Sequence, residues 1–461
     1  MNDKKKRIRK LSFSTVQIIA LGFFGVILAG AVLLWLPFSN RQPIAFADAL
    51  FTAVSAVCVT GLVTIVPATQ FSPVGKGILL VLIQIGGLGI IACTVAFFLL
   101  MHRRITMKER VLIQQGSGLD TPGGIVQYII HVLKGTFIVE GIGAVCYLFY
   151  FVPRYGVAQG AAYSVFHSVS AFCNAGIDIL GADSFQGMVT SPIVNLTTMA
   201  LIVLGGLGFR VWYDILGNTK RVLKEGQSRK RLLSRLQLQS KIVLSMTVFL
   251  IAFGTVGYFL LEHDNPDTFG NLSLGQKWQA AAFQSVTTRT AGFATVSQAE
   301  LTRTSKLLGC VLMFIGGSSG GTAGGVKTTT IALLILTCAA VLRGKRDTEC
   351  FGRKIDITLV RSAVTITQLT LLFWLCGTVV IVMLEPDVDI LSIMYETFSA
   401  VATVGLTADL TPQLCRASQA VLMILMYAGR IGPVTMAMVF AGKSRLSTQL
   451  RELPEKRIMI G

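Results

Sequence analysis

Cys58-Val59-Thr60-Gly61-Leu62 is written three more times with variations, as Cys173-Asn174-Ala175-Gly176-Ile177, Arg289-Thr290-Ala291-Gly292-Phe293 and Ala402-Thr403-Val404-Gly405-Leu406. The four glycines stand 115, 116 and 113 residues apart. Each phrase follows a short, half-polar segment that carries an aromatic residue. Each is followed 24 to 29 residues later by a second glycine motif inside an apolar run, counted from Gly61 to Gly86 and likewise in the other copies. A fixed-period repeat decides the architecture before any single element does. A fourfold repeat in a membrane chain predicts a pseudo-fourfold ring about an axis.

The membrane reading comes from composition. Mean hydropathy is +0.67. Hydrophobic residues make up 52% of the chain and charged residues only 14%, a polytopic membrane balance. Apolar runs of about 20 residues, enough to cross a bilayer, recur throughout. The basic start Met1–Lys10 leads into an apolar stretch too long for a cleavable signal. The formal charge of +18 invites a nucleic-acid reading, but its distribution excludes one. Of the 41 Lys and Arg, 29 fall in residues 1–10, 103–110, 220–241, 343–361 and 443–457, at the termini and between the repeats. Connections inside the repeats carry acids instead: Asp178 and Asp183, then Glu262, Asp264 and Asp267, then Glu385, Asp387 and Asp389. The positive-inside rule then places both termini and every inter-repeat loop in the cytoplasm of a multi-pass protein of the cell (inner) membrane. Nine cysteines without a CxxC pair and four scattered histidines argue against a disulfide framework or a zinc site.

Each repeat reads as an apolar helix, a short segment and a second apolar helix. The first helices are expected at 13–37, 126–152, 240–262 and 359–384. The short segments are 46–58, 160–173, 277–289 and 390–402, and the second helices 76–101, 192–216, 306–341 and 417–442. Both ends of each unit face the cytoplasm, so each unit crosses twice. A segment of 13 residues cannot span at about 1.5 Å rise per residue, so it must dip in and return. The expected fold is all-α: eight spanning helices and four re-entrant pore helices around one central pore. The organisation is a basic N-terminus (1–12), repeat one (13–101), a linker (102–125), repeat two (126–216) and a basic linker (217–239). Repeat three (240–341), a linker (342–358), repeat four (359–442) and a tail (443–461) follow.

The chemistry of the dips suits cations. Each short helix ends at its phrase, so the negative end of its dipole faces there. Backbone carbonyls can replace an ion's hydration shell, and glycine permits the positive φ that turns successive carbonyls to one side. The candidate filter residues are Val59, Thr60 and Gly61; Asn174, Ala175 and Gly176; Thr290, Ala291 and Gly292; and Thr403, Val404 and Gly405. None is a carboxylate, which favours a monovalent ion held by dipoles over a divalent ion held by an acidic ring. The plainer alternative, that each glycine only permits close helix packing, loses force when four stand in register.

The second motifs differ between copies. They include Gly86-Gly87-Leu88-Gly89, Gly205-Gly206-Leu207-Gly208 and Gly429-Arg430-Ile431-Gly432. The third copy is the long run Gly316, Gly317, Ser318, Ser319, Gly320, Gly321, Thr322, Ala323, Gly324, Gly325, Val326, Lys327. Six glycines in ten residues cost too much backbone entropy for a continuous helix. An unwound loop between two half-helices, just below the filter, is expected at 316–327. A passive kink is the bland reading. A gate is better motivated, because such backbone changes path cheaply. Its resemblance to a phosphate loop fails on spacing. Arg430, in the middle of an apolar helix, reads as a charge barrier facing the cavity, with a structural ion pair as the alternative. Arg289 is expected to tie its short helix to an acidic or carbonyl partner. Lys134 and Glu140 share a helix without facing each other.

Four such units, one glycine per phrase, a glycine loop in the third and an arginine in the last helix resemble the Trk/Ktr superfamily of potassium transporters. The similarity covers residues 11–461. Eight spans without an extra N-terminal pair, and the tail Leu453–Gly461, are more similar to the KtrB branch than to the longer TrkH branch. The resemblance implies channel-like potassium uptake, often sodium-dependent, by a homodimer with one pore per subunit. It implies a cytosolic ring of nucleotide-binding regulatory subunits of RCK/KTN type acting on Gly316–Gly325. Membrane lipid surrounds such a protein, and no nucleic acid or organic cofactor is implied. One glycine per phrase, rather than two, suggests fewer rigidly organised ion sites. Asn174 and Ala175 depart from a threonine-rich filter. Two other classes are weighed. An alternating-access secondary transporter also uses broken helices, but commonly with two inverted repeats. A membrane-embedded enzyme needs a clustered acid, base or metal constellation, and the sequence carries none.

Overall fold

The computed structural model describes residues 15–89, 92–93, 95, 125–224, 234–432 and 435–436. The expected basic N-terminus (1–12), the linker at 102–124 and the tail (443–461) lie outside the described residues, as do most of 90–101 and 433–442.

The chain is mostly helical. The four first apolar runs form α1 (Thr15–Trp35), α4 (Ile125–Tyr155), α8 (Leu238–Glu262) and α12 (Ile357–Leu384). Each is long and apolar enough to cross a membrane. Their outer faces present apolar side chains, including Phe24 on α1, Phe149 on α4, Val248 on α8 and Met383 on α12. Water disfavours such a surface and lipid accepts it. The short segments form α2 (Phe46–Cys58), α5 (Val157–Phe172), α9 (Leu274–Thr287) and α13 (Ile390–Val401). Side-chain caps set where α9 and α13 begin. Asp389 accepts from the Ser392 N–H at 3.1 Å, and Ser273 forms a reciprocal capping box with Gln276.

The second apolar runs of units one, two and four depart from expectation, while the third is interrupted where the glycine run predicts. None is one continuous helix through its glycine motif. α3 (Pro73–Leu88) ends at Gly89 with φ of 83°. α6 (Pro192–Leu207) stops at Gly208, with φ of 89°, and the chain restarts as α7 (Phe209–Lys224) after a bend of 96°. α14 (Arg416–Ile431) ends at Gly432 with φ of 96°. The third run is α10 (Arg303–Phe314) and α11 (Thr328–Leu342), separated by thirteen non-helical residues. The continuous helix expected at 192–216 is therefore corrected, because Gly208 takes a left-handed backbone that no α-helix contains. Among the described residues, four helices pass the test for a full crossing, or five with the bent pair α6–α7. Among the described residues, α3, α6, α10, α11 and α14, which the second apolar runs form, are each shorter than a full crossing. A two-residue hairpin, Glu349–Cys350 with Arg353–Lys354, joins α11 to α12.

Packing is cyclic. α3 packs on α5, α6 on α9, α10 on α13, and α14 on α2. The last unit thus closes on the first. Asp48 on α2 and Arg416 on α14 form a bidentate ion pair at 2.6 and 2.9 Å across that seam. The Tyr427 hydroxyl donates to the Ala20 carbonyl at 2.7 Å. One buried cluster runs through units one, two and four and joins Phe283 and Phe293 of unit three.

Candidate functional site

The site begins where the short helices end. Val59, Asn174, Thr290 and Thr403, each two residues before its glycine, have φ of 55°, 59°, 67° and 51°. In units one, two and four the left-handed residue closes the helix in the Schellman manner. The N–H of Thr60 donates to Ser55, that of Ala175 to Ser170 and that of Val404 to Ser399, each at 2.8 Å to the carbonyl oxygen. Unit three is wound one residue differently, with the Ala291 N–H on the Thr287 carbonyl at 3.0 Å. Asn tolerates this conformation. β-Branched Val59, Thr290 and Thr403 do not, at about 1–3 kcal/mol each. Such strain is held only where the surroundings over-determine it.

The glycines follow with positive φ, 107° at Gly61, 64° at Gly176, 77° at Gly292 and 94° at Gly405. Alternating left-handed residues direct successive carbonyls to one side. The four phrases meet each other. A methyl group added to Gly61 would lie 2.8 Å from the Ala175 carbonyl oxygen. One on Gly176 would lie 2.6 Å from that of Ala291, and one on Gly292 2.6 Å from that of Val404. One on Gly405 would overlap the Thr60 carbonyl. Each partner is the residue before the next glycine, so the contacts run one to two to three to four and back to one. Buried polar atoms gather here without a protein partner: the hydroxyls of Thr60, Thr290 and Thr403 and both amide atoms of Asn174. Buried hydroxyls and amides are normally bonded, so these are unpaired polar groups held beside the ring.

The second glycines lie beneath. Methyl groups on Gly86, Gly205 and Gly429 would overlap the carbonyls of Val57, Phe172 and Val401, each four residues before its phrase glycine. These glycines let the second helices touch the last turn of the short ones.

The expected gate residues form an extended loop. Ile315 pairs with Val326 in a single parallel bridge. From there the loop reaches into unit two, at the break in α6–α7. The Ser318 N–H donates to the Gly206 carbonyl at 2.8 Å and the Thr322 N–H to that of Gly205 at 3.1 Å. The Ser318 hydroxyl donates to Leu207 at 2.9 Å, and the Thr322 hydroxyl to the Phe172 carbonyl at 3.0 Å. In return the Phe209 N–H donates to Gly320 at 3.1 Å. Arg430 crosses from unit four, donating to the Thr322 carbonyl at 2.5 Å and to the Gly86 carbonyl of unit one. Lys327 turns back on its own loop, to the Ala323 carbonyl at 2.6 Å. All four units therefore converge on one layer below the glycine ring.

Arg289 finds a carbonyl, that of Thr247 at 3.5 Å, while its Nε has no partner. Lys134 and Glu140 do not meet. Lys134 is exposed and Glu140 is buried against Gln84, whose amide donates to it at 3.0 Å. That pair, and the hydroxyls Ser55, Ser170, Thr287 and Ser399 in the last turns of the short helices, were missed by sequence reasoning. A serine six residues before the glycine in units one, two and four was the available signal.

The sequence profile of the family described as TrkH, cation transport protein, matches residues 2–447. The chain belongs to this family of cation transporters. Among its relatives, the potassium/sodium uptake protein NtpJ of Enterococcus hirae is 38% identical, over all of both chains. The Ktr system potassium uptake protein B of Bacillus subtilis is 37% identical, with 95% of this chain and 96% of that one aligned. Its counterpart from Vibrio alginolyticus is 35% identical over 96% of this chain and 94% of its own. In fold, the chain matches the potassium transporter TrkH of Vibrio parahaemolyticus with a TM-score of 0.73, at 19% identity, covering 97% of this chain and 88% of that one. Membership in the family and the four long apolar helices make this a multi-pass membrane protein.

Proposed function

We propose that this chain is the translocating subunit of a potassium uptake system, working as a gated, channel-like pore with four pseudo-equivalent units around one axis. The observation that carries the reading is the closed cycle of Gly61, Gly176, Gly292 and Gly405. Each is preceded at two residues by a left-handed partner. A cycle of carbonyls contributed by four units replaces the hydration shell of a monovalent cation. The uptake named for the relatives, potassium in two and potassium with sodium in the third, supports the choice of ion.

The rest of the mechanism follows from the layer beneath. The Gly316–Gly325 loop blocks the path below the ring and Arg430 adds a positive charge there. Opening requires the loop to leave Gly205, Gly206 and Leu207, which its glycines permit at low backbone cost. In this reading both termini are cytoplasmic. The protein is a homodimer with one pore per subunit, and a cytosolic ring of nucleotide-binding subunits acts on the loop. Uptake in this reading is sodium-dependent.

Growth of a potassium-uptake-deficient cell tests the reading. Wild type should restore growth at low potassium. Gly292→Ser, whose side chain would crowd the Val404 carbonyl, should make that growth sodium-sensitive. Unchanged ion preference in a well-expressed Gly292→Ser protein counts against a carbonyl filter.

A further inference from the structure

The four phrases are not held alike. Each is secured by one fully buried hydroxyl in the last turn of its short helix. Ser55 Oγ accepts from the Gly61 N–H at 3.0 Å, and Ser399 Oγ accepts from the Gly405 N–H at 3.0 Å. Units two and three reverse the sense. Ser170 Oγ donates to the Ile177 carbonyl at 2.7 Å, and Thr287 Oγ1 donates to the Phe293 carbonyl at 2.6 Å.

The direction of these bonds fixes the direction of the peptides. In a trans peptide the N–H of one residue and the C=O of the residue before it point opposite ways, and no peptide here is cis. Where the Gly61 and Gly405 N–H groups point back to their helices, the Thr60 and Val404 carbonyls point away from them, into the ring. Where the Ile177 and Phe293 carbonyls point back to their helices, they are withdrawn from the ring. One residue beyond the glycine, at the level of Leu62, Ile177, Phe293 and Leu406, two of four sides therefore have no carbonyl to offer.

Outside the ring, the withdrawn segment of unit three is also fastened to Ser184 and Phe185 of unit two. The Phe185 N–H donates to the Ala294 carbonyl at 2.9 Å, and the Ala294 N–H to Ser184 Oγ at 3.3 Å. The Phe185 and Phe293 rings stack at 4.8 Å and 18°. In unit three Ser184 thereby holds the other end of the peptide whose carbonyl Thr287 holds.

We infer that Ser170 and Thr287 are positioning residues that keep full four-sided carbonyl coordination at the inner levels, that of Thr60, Ala175, Ala291 and Val404 among them, and leave a cation half hydrated at the level of Leu62, Ile177, Phe293 and Leu406. The inference rests on the ion-translocation reading above. It makes the outer entrance one-sided, because units two and three are neighbours in the cycle, and places discrimination between cations inside that level. Losing either hydroxyl releases a carbonyl toward the axis and adds a ligand to the outer level.

Two measurements test this. The first is rubidium and sodium uptake by purified protein in liposomes. Ser170→Ala and Thr287→Val should each lower the KM for rubidium by about threefold or more without raising the maximal rate. Ser170→Thr and Thr287→Ser, which keep the hydroxyl, should stay near wild type. KM values unchanged in folded Ser170→Ala and Thr287→Val overturn the inference. The second measurement needs no variant: a density map of wild type in rubidium. A rubidium peak at the level of Thr60, Ala175, Ala291 and Val404, stronger than any at Leu62, Ile177, Phe293 and Leu406, is expected. A peak at the outer level as strong as the inner one overturns the inference and leaves the pore reading standing. The absence of any peak at the inner level overturns the pore reading itself.

Discussion

Thr322→Val loosens the loop at one defined point. The Thr322 hydroxyl donates to the Phe172 carbonyl at 3.0 Å, fully buried, between the loop of unit three and the short helix of unit two. Valine keeps the shape and removes the donor. A buried hydrogen bond contributes about 1 kcal/mol net, and leaving its acceptor unsatisfied costs about 1–3 kcal/mol. Ser318 still anchors the loop through its N–H to Gly206 and its hydroxyl to Leu207, and the Thr322 N–H still reaches Gly205. The penalty therefore falls on the seated loop and disappears when the loop leaves, because the Phe172 carbonyl is then open to water. A loss of about 1–2 kcal/mol raises the population of the released loop about 5- to 30-fold. Rubidium uptake into liposomes by purified Thr322→Val, without any partner protein, should rise by a comparable factor while the rubidium-to-sodium ratio holds. Unchanged or reduced uptake from a variant with wild-type melting temperature would refute the idea that the loop blocks the path.

Other substitutions probe the neighbouring layers. Arg430→Ala removes charged donors from the Thr322 and Gly86 carbonyls, bonds of about 1.5–3 kcal/mol each. Cation flux should rise at least tenfold, and a flux assay showing no increase removes Arg430 from the barrier. Gly86→Ala places a methyl on the Val57 carbonyl, so the detergent-solubilised protein should lose about 1–3 kcal/mol, read as a lower melting temperature. A melting temperature equal to wild type would mean that α2 and α3 can separate freely. Glu385 follows α12, where it accepts from the Cys415 N–H at 2.7 Å and the Ser418 hydroxyl at 3.0 Å. Those bonds, the Cys415 N–H first, hold its carboxyl below the usual glutamate value. A lowered pKa contributes stability above the unfolded value of about 4.3, lost as the pH falls through the folded one. Glu385 is only partly buried and lies near solvent, so the contribution is about 0.5 kcal/mol or less. Glu385→Gln should melt slightly below wild type at pH 7 and level with it near pH 3. A gap that persists in acid argues against the ionised carboxylate as the source.

Much of the architecture was written in residue spacing. Glycines at intervals of 113 to 116 residues pointed to four copies, and the structure brings those glycines into contact around a cycle. Composition sufficed for the loop between α10 and α11, because six glycines in ten residues cost a continuous helix too much backbone entropy. The breaks at Gly89, Gly208 and Gly432 were not legible. A single glycine inside an apolar run costs only about 1 kcal/mol in a helix, and tertiary contact decides whether the helix breaks. At Gly208 the loop of unit three decides it, through Gly320 on the Phe209 N–H. The left-handed Val59, Thr290 and Thr403 were also invisible, since local propensity opposes them. The senses of the Ser55 and Ser170 hydrogen bonds could not be read either. Both are serines six residues before a glycine, and only the path of the chain beyond decides whether the hydroxyl accepts or donates.

Purified protein in liposomes puts the central claim to its most direct test. Rubidium and sodium influx are measured side by side for wild type and Gly292→Ser. Wild type should admit rubidium faster than sodium, and Gly292→Ser should lose most of that preference while remaining folded. A preference that survives intact in Gly292→Ser contradicts an ion path lined by the four-glycine ring.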